Sequence, residues 1–88
     1  MNIEHKEGAF TIQHDGQQAG LLTYTKQGND RISIDHTEVD DILKGKGAGK
    51  QLVKAAVDFA REKNLKVIPS CPFAAHLFEK ETDWQDVL

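Results

Sequence analysis

Val39-Asp40-Asp41-Ile42-Leu43-Lys44-Gly45-Lys46-Gly47-Ala48-Gly49-Lys50-Gln51-Leu52-Val53 is the stretch on which the reading of this chain turns. Gly45, Gly47 and Gly49 alternate with Lys46 and Ala48. Glycine accepts backbone angles that other residues resist and lets the main chain come close to a ligand. Successive N–H groups of such a loop can converge on one anion, and a helix that starts behind it adds the positive end of its dipole. Lys44, Lys46 and Lys50 bring positive charge to the same point. The combination suits a diphosphate. The competing reading is a plain turn before a helix, and the elements on either side weigh against it.

Downstream, apolar residues fall at Val53, Ala56, Val57 and Ala60, joined by Leu52 and Phe59. This is the spacing of one buried helix face, and it predicts a helix from Lys50 to about Lys63-Asn64. Lys66-Val67-Ile68-Pro69 reads as a short strand whose end is bracketed by Pro69 and Pro72. Ala74 to Lys80 reads as a second short helix with Leu77 and Phe78 facing inward, and the tail carries Trp84, Val87 and Leu88 back towards the core. Upstream, Ala9 to Gln13, Gln18 to Gln27 and Arg31 to Val39 alternate polar and apolar residues as strands do. Asp15-Gly16 and Gly28-Asn29-Asp30 separate them and predict tight turns. The expected order is β-β-β-α-β-α: an α/β (α+β) fold in which an antiparallel meander is followed by one parallel crossover. The strand ending at Val39 and the strand at Lys66 to Pro69 are then neighbours. The glycine loop lies at the carboxyl end of a strand, where open α/β sheets place their ligands.

Two familiar phosphate loops do not fit. A P-loop needs Gly, four residues, then Gly-Lys and Ser or Thr; here position 44 is Lys and position 51 is Gln, so the magnesium-binding hydroxyl is missing. The dinucleotide fingerprint is G-x-G-x-x-G, whereas this spacing is G-x-G-x-G. The segment from Val39 to Val53 instead resembles the acetyl-coenzyme A binding motif of the GNAT acetyltransferase superfamily: a strand ending in Val, a short connection, then Gln or Arg-x-x-Gly-x-Gly or Ala. Lys44, Gly47 and Gly49 occupy the three motif positions, with Lys44 replacing the usual Gln or Arg while keeping a charge. His36-Thr37-Glu38-Val39 and Pro69-Ser70-Cys71-Pro72-Phe73-Ala74 look like a subfamily of very small GNAT-like proteins, and the likeness runs from the second strand to the second helix. It implies a minimal GNAT-like fold over residues 1–88. It implies that backbone amides of Lys44, Gly45, Lys46, Gly47, Ala48, Gly49 and Lys50 hold the pyrophosphate. It also implies that backbone groups near Thr37 and Val39 pair with the pantetheine arm as if it were an extra strand. Such small proteins lack the N-terminal helices that wall the acceptor site of full-length GNAT enzymes.

Acetylation of an amine needs a base for the attacking nitrogen and a donor for the thioester oxygen. Glu38, one residue before the motif's Val, is the first candidate base, against a plain solvated strand residue. His36 shares the parity of Ile32 and Ile34 and is expected to face inward, as a base or as a hydrogen-bonded core histidine, unless a bulge re-aims it. Cys71 follows the strand that flanks the cofactor and is a candidate acetyl carrier or a small buried apolar residue. His76 is placed to lower its thiol pKa if the fold brings the two together. No metal site is expected, because Cys71, His76 and His36 have no fourth ligand at a telling spacing.

Composition bounds the rest. Eighty-eight residues suffice for one domain and not for two. The net charge of -3 argues against non-specific nucleic-acid binding, and no run approaches the ~20 apolar residues of a membrane span. One cysteine permits no internal disulfide, and the N-terminus carries no signal-like apolar run, so a cytoplasmic location is expected. Nothing demands a dimer, so a monomer is expected. Two functional readings stand: an N-acetyltransferase acting on a small-molecule or protein amine, and a non-catalytic acetyl-CoA binding module or sensor. A third, a structural interaction domain, leaves the ordered loop unexplained.

Overall fold

Residues 2–88 are described in a computed structural model. The sheet contains β1 (Asn2–Lys6), β2 (Ala9–His14), β3 (Gln17–Gln27), β4 (Arg31–Val39) and β5 (Lys66–Pro69), paired in that order. All pairs are antiparallel except β4–β5, which is parallel. α1 (Ala48–Lys63) connects β4 to β5, and α2 (Pro72–Lys80) follows β5. Short 3-10 turns occupy Asp41–Leu43 and Thr82–Val87. The α/β expectation and its parallel crossover therefore hold.

One strand was not expected. Asn2–Lys6 pairs along β2 although only Ile3 among its residues is even half-buried. A strand this short and polar leaves no alternation to read; a turn at Gly8, with φ of +84°, folds it back onto β2. The Asp15-Gly16 hairpin matches its sequence signal: both residues have positive φ, +50° and +78°, as a two-residue turn of the favoured twist requires. α1 begins at Ala48, two residues before the expected start, and ends at Asn64 in the left-handed region. α2 starts at Pro72 rather than Ala74, because proline is well suited to the first helical position, where its missing N–H costs nothing.

α1 lays Leu52, Val53, Ala56, Val57 and Ala60 on β2, β3, β4 and β5. Phe10, Ile12, Leu22, Ile32 and Ile34 meet them from the sheet. α2 and the C-terminal turn join this layer. Trp84 packs edge-on against Phe78, and Arg61 of α1 grips both carboxylate oxygens of Asp86 at 3.0 and 2.8 Å. The tail thus folds back through Trp84 and Val87, while Leu88 stays exposed.

The Arg61 guanidinium, through its hydrogen bonds, holds the Asp86 carboxyl below the usual carboxylate range. A group with a lowered folded pKa contributes stability above its unfolded value and loses it as pH falls through the folded one. The melting-temperature gap between the natural protein and Asp86→Asn should therefore be present at neutral pH and shrink below about pH 4. A second expectation concerns Leu52, which is fully buried. Leu52→Ala should cost about 2–5 kcal/mol in urea unfolding.

Candidate functional site

β4 and β5 pair only from Arg31↔Lys66 to Ile34↔Pro69, with one further bond from the Cys71 N–H to the Ile34 carbonyl at 2.9 Å. Beyond that point they part. β5 ends at Pro69 and the chain enters α2 at Pro72, while in β4 Tyr24 pairs with Ile34 but Thr23 pairs with His36, so Asp35 is an extra residue. A bulge of this kind bends its strand and shifts side-chain parity by one. Past it the strand still pairs with β3, and the Asp40 N–H reaches the Ala19 carbonyl at 2.8 Å. Backbone groups alternate sides along a strand. Those of Thr37 and Val39 therefore turn away from β3, towards the gap that β5 has vacated.

The bulge corrects the expectation for His36. Its side chain does not face inward with Ile32 and Ile34 but lies 60% exposed, its Nε2 3.1 Å from Glu38 Oε2. Glu38 is equally exposed and shares that face. Thr37 and Val39 are half-buried instead, and the Cys71 Sγ approaches Thr37 Oγ1 at 3.8 Å. Cys71 is buried. His76 is exposed on α2 and makes no hydrogen bond to it. The structure thus gathers the candidates in two pairs, His36 with Glu38 and Thr37 with Cys71, around the point where the strands separate.

The glycine loop closes the other end of the gap. Gly45 and Gly47 have φ of +77° and +73°, and a Cβ on either would meet nothing within 4 Å, so these glycines serve the backbone path and leave the space above it open. Gly47 is the N-cap of α1 and caps it with no side chain; the first turn holds no acidic residue. The first intrahelical bond is Gln51 N–H to Gly47 C=O at 3.0 Å. Among the described residues the amides of Gly45, Gly47, Ala48, Gly49 and Lys50 donate to no backbone acceptor. Most helices satisfy such donors with a Ser, Thr, Asp or Asn cap. A cavity of about 260 Å³ lies over them, lined by Val39, Leu43, Lys44, Gly45, Gly47–Lys50 and Phe73. Lys44 is held on Asp41 at 2.9 Å, Lys50 pairs with Glu81, and Lys46 is exposed.

Phe73 belongs to the segment after β5 that carries the resemblance, but was not among the candidate site residues. It is 42% exposed and its ring fills the place a side chain on Gly49 would take, with Cζ 2.5 Å from an added Cβ. Only the tertiary meeting of the α1 and α2 N-termini reveals this. A larger cavity, about 660 Å³ between Tyr24, Ile32, Phe59 and Leu65, opens at the amino end of β4, away from the loop.

With this geometry established, comparison with known proteins decides the family. A family model for the GCN5-related N-acetyl-transferase matches residues 9–87. The chain belongs to the GCN5-related N-acetyltransferase family. It is similar to protein NATD1 of Xenopus tropicalis, 35% identical over 74 residues that span 81% of this chain and 68% of the relative. The solution structure of a GCN5-like protein from Staphylococcus aureus superposes with a TM-score of 0.80 at 47% identity, over 98% of this chain and 85% of the other. A GNAT family acetyltransferase from Elizabethkingia anophelis, solved with acetyl-CoA bound, shares the fold at a TM-score of 0.65 and 19% identity, over 82% of this chain and 50% of that one.

The open space at Gly47 gives a clean expectation for this GNAT loop. Gly47→Ala adds no clash, so its cost is that of a left-handed angle in a non-glycine residue, about 1–2 kcal/mol in denaturant unfolding. Gly49→Ala instead displaces the Phe73 ring, and Phe73→Ala should remove that coupling in a double-mutant cycle.

Proposed function

We propose that this GNAT protein binds acetyl-CoA in the gap between β4 and β5 and transfers the acetyl group to an amine. The observation that carries the reading is the set of uncommitted amides at Gly45 and at Gly47, Ala48, Gly49 and Lys50, at the positive end of α1 beside the free edge of β4. The residues present fit the cofactor. Free N–H groups beside Lys44 and Lys46 match a diphosphate, and a strand edge at Thr37 and Val39 matches an arm that carries amides. Acetyl-CoA supplies an activated acyl group whose thiolate is a good leaving group.

The chain's own residues do the rest. Backbone N–H groups of Gly45, Gly47, Ala48, Gly49 and Lys50 bind the diphosphate, and Lys44 and Lys46 balance its charge. The Val39 and Thr37 main chain orients the arm. The Glu38 carboxylate, paired with His36, accepts the proton that the attacking amine nitrogen must lose. Cys71 closes the floor of the gap against Thr37 and is the candidate acetyl carrier if transfer proceeds in two steps. The acceptor is a small-molecule or protein amine, and the protein acts as a monomer in the cytoplasm.

Calorimetric titration of acetyl-CoA tests this, with Gly47→Glu as the variant that places a carboxylate over the loop. Saturable binding that the variant loses by more than about tenfold supports the site. Turnover with an amine panel that falls on Glu38→Gln supports the enzyme. Tight binding with no turnover on any amine points to the sensor instead. The absence of binding at millimolar cofactor contradicts both.

A further inference from the structure

A hydrogen-bonded chain crosses three strands at the place where β4 leaves β5, and neither the loop nor the acetyl chemistry uses it. Thr25 Oγ1 of β3 donates to Asp35 Oδ2 at 2.6 Å, and Ser33 Oγ of β4 donates to Asp35 Oδ1 at 2.8 Å. Ser33 Oγ also lies 2.7 Å from Ser70 Oγ, just past the end of β5. Proton counting fixes the direction. A carboxylate only accepts and a hydroxyl has one proton; Ser33 gives its proton to Asp35, so Ser70 donates to Ser33. Ser33 is buried, at 2% exposure, and its hydroxyl is satisfied only within this chain. Bonds to a carboxylate are stronger than neutral ones, so Asp35 is the anchor of the set.

Asp35 is also the bulged residue. Its backbone has no partner in the β3 register, and its side chain is what ties the bulge to β3, to β4 and, through Ser33, to Ser70. Ser70 precedes Cys71, whose N–H makes the last bond to β4 and whose Sγ faces Thr37. We propose that Asp35 is a positioning residue: through Ser33 and Ser70 it fixes where β5 lets go of β4, and so sets the width of the gap in which the acyl arm lies. Asp35 touches no ligand in this scheme. The ligand side of the proposal rests on the function proposed above, whereas the strand side does not.

The test uses the full chain in two arms. In the first, without ligand, amide hydrogen exchange at Cys71 is compared between the natural protein, Asp35→Ala, Ser70→Ala and Ser70→Thr. Exchange about tenfold faster in the two alanine variants, restored by Ser70→Thr, which keeps the hydroxyl, supports the pin. In the second, acetyl-CoA and ADP are titrated and followed by chemical shifts; ADP can engage the loop but has no arm to lie in the gap. Asp35→Ala should weaken acetyl-CoA about tenfold and leave ADP within about twofold. Unchanged exchange at Cys71, equal behaviour of Ser70→Ala and Ser70→Thr, or equal loss of both ligands overturns the proposal. A natural protein that binds neither ligand contradicts the proposed function, and the exchange arm then still decides the strand geometry.

Discussion

One added residue in a strand shapes this molecule. Asp35 has no opposite number on β3, and from that position onward β4 changes the face it shows and the direction it takes. The parallel pairing stops at Ile34, where β5 ends at Pro69 and gives way to α2, and β4 runs on past the bulge with the groups of Thr37 and Val39 facing a gap. Open strand edges are normally covered or made unattractive, because they recruit other chains. Here the edge is internal, sheltered by α1, by the loop before it and by the start of α2, so the partner it accepts must be small enough to enter the cleft.

The helix that roofs the sheet has a matching deficiency. α1 is anchored strongly in its middle, where Leu52, Val53, Ala56, Val57 and Ala60 are buried, and it is left uncapped at its start. Packing supplies the stability of the helix, so its N-terminus is free to present donors to a ligand. Gly45 and Gly47 make that possible by carrying the chain through left-handed angles with open space above them. Two local departures from ordinary secondary structure, a bulge and a missing cap, thus lie at the two ends of one cleft.

The sequence displayed one of these and hid the other. Gly45 and Gly47 are legible because few residues other than glycine tolerate such backbone angles, and the helical spacing behind them is unambiguous. The hairpin at Asp15-Gly16, the parallel crossover and the buried Trp84 were legible for the same reason: each follows from local chemistry or from simple alternation. The bulge is not local. Asp35 looks like any polar residue between Ile34 and His36, and what makes it an extra residue is its pairing with β3, which periodicity along β4 alone does not contain. Reading straight through it put His36 inside, when its side chain lies outside beside Glu38. Phe73 escaped for a related reason, since its place over Gly49 depends on two helix ends separated by more than twenty residues meeting in space. β1 escaped because its neighbour, rather than its own residues, makes it a strand.

In the proposed function the cleft from Thr37 to Lys50, and not the cavity lined by Tyr24, Phe59 and Leu65 at the opposite end of the sheet, receives the cofactor. Backbone amide shifts of isotopically labelled protein, recorded while acetyl-CoA is added, test it directly. The prediction is that Thr37, Val39, Gly45, Gly47, Ala48, Gly49 and Lys50 move together along one saturable curve, while Tyr24, Phe59 and Leu65 stay in place. Shifts concentrated at Tyr24, Phe59 and Leu65, with the glycine loop unmoved, would contradict it.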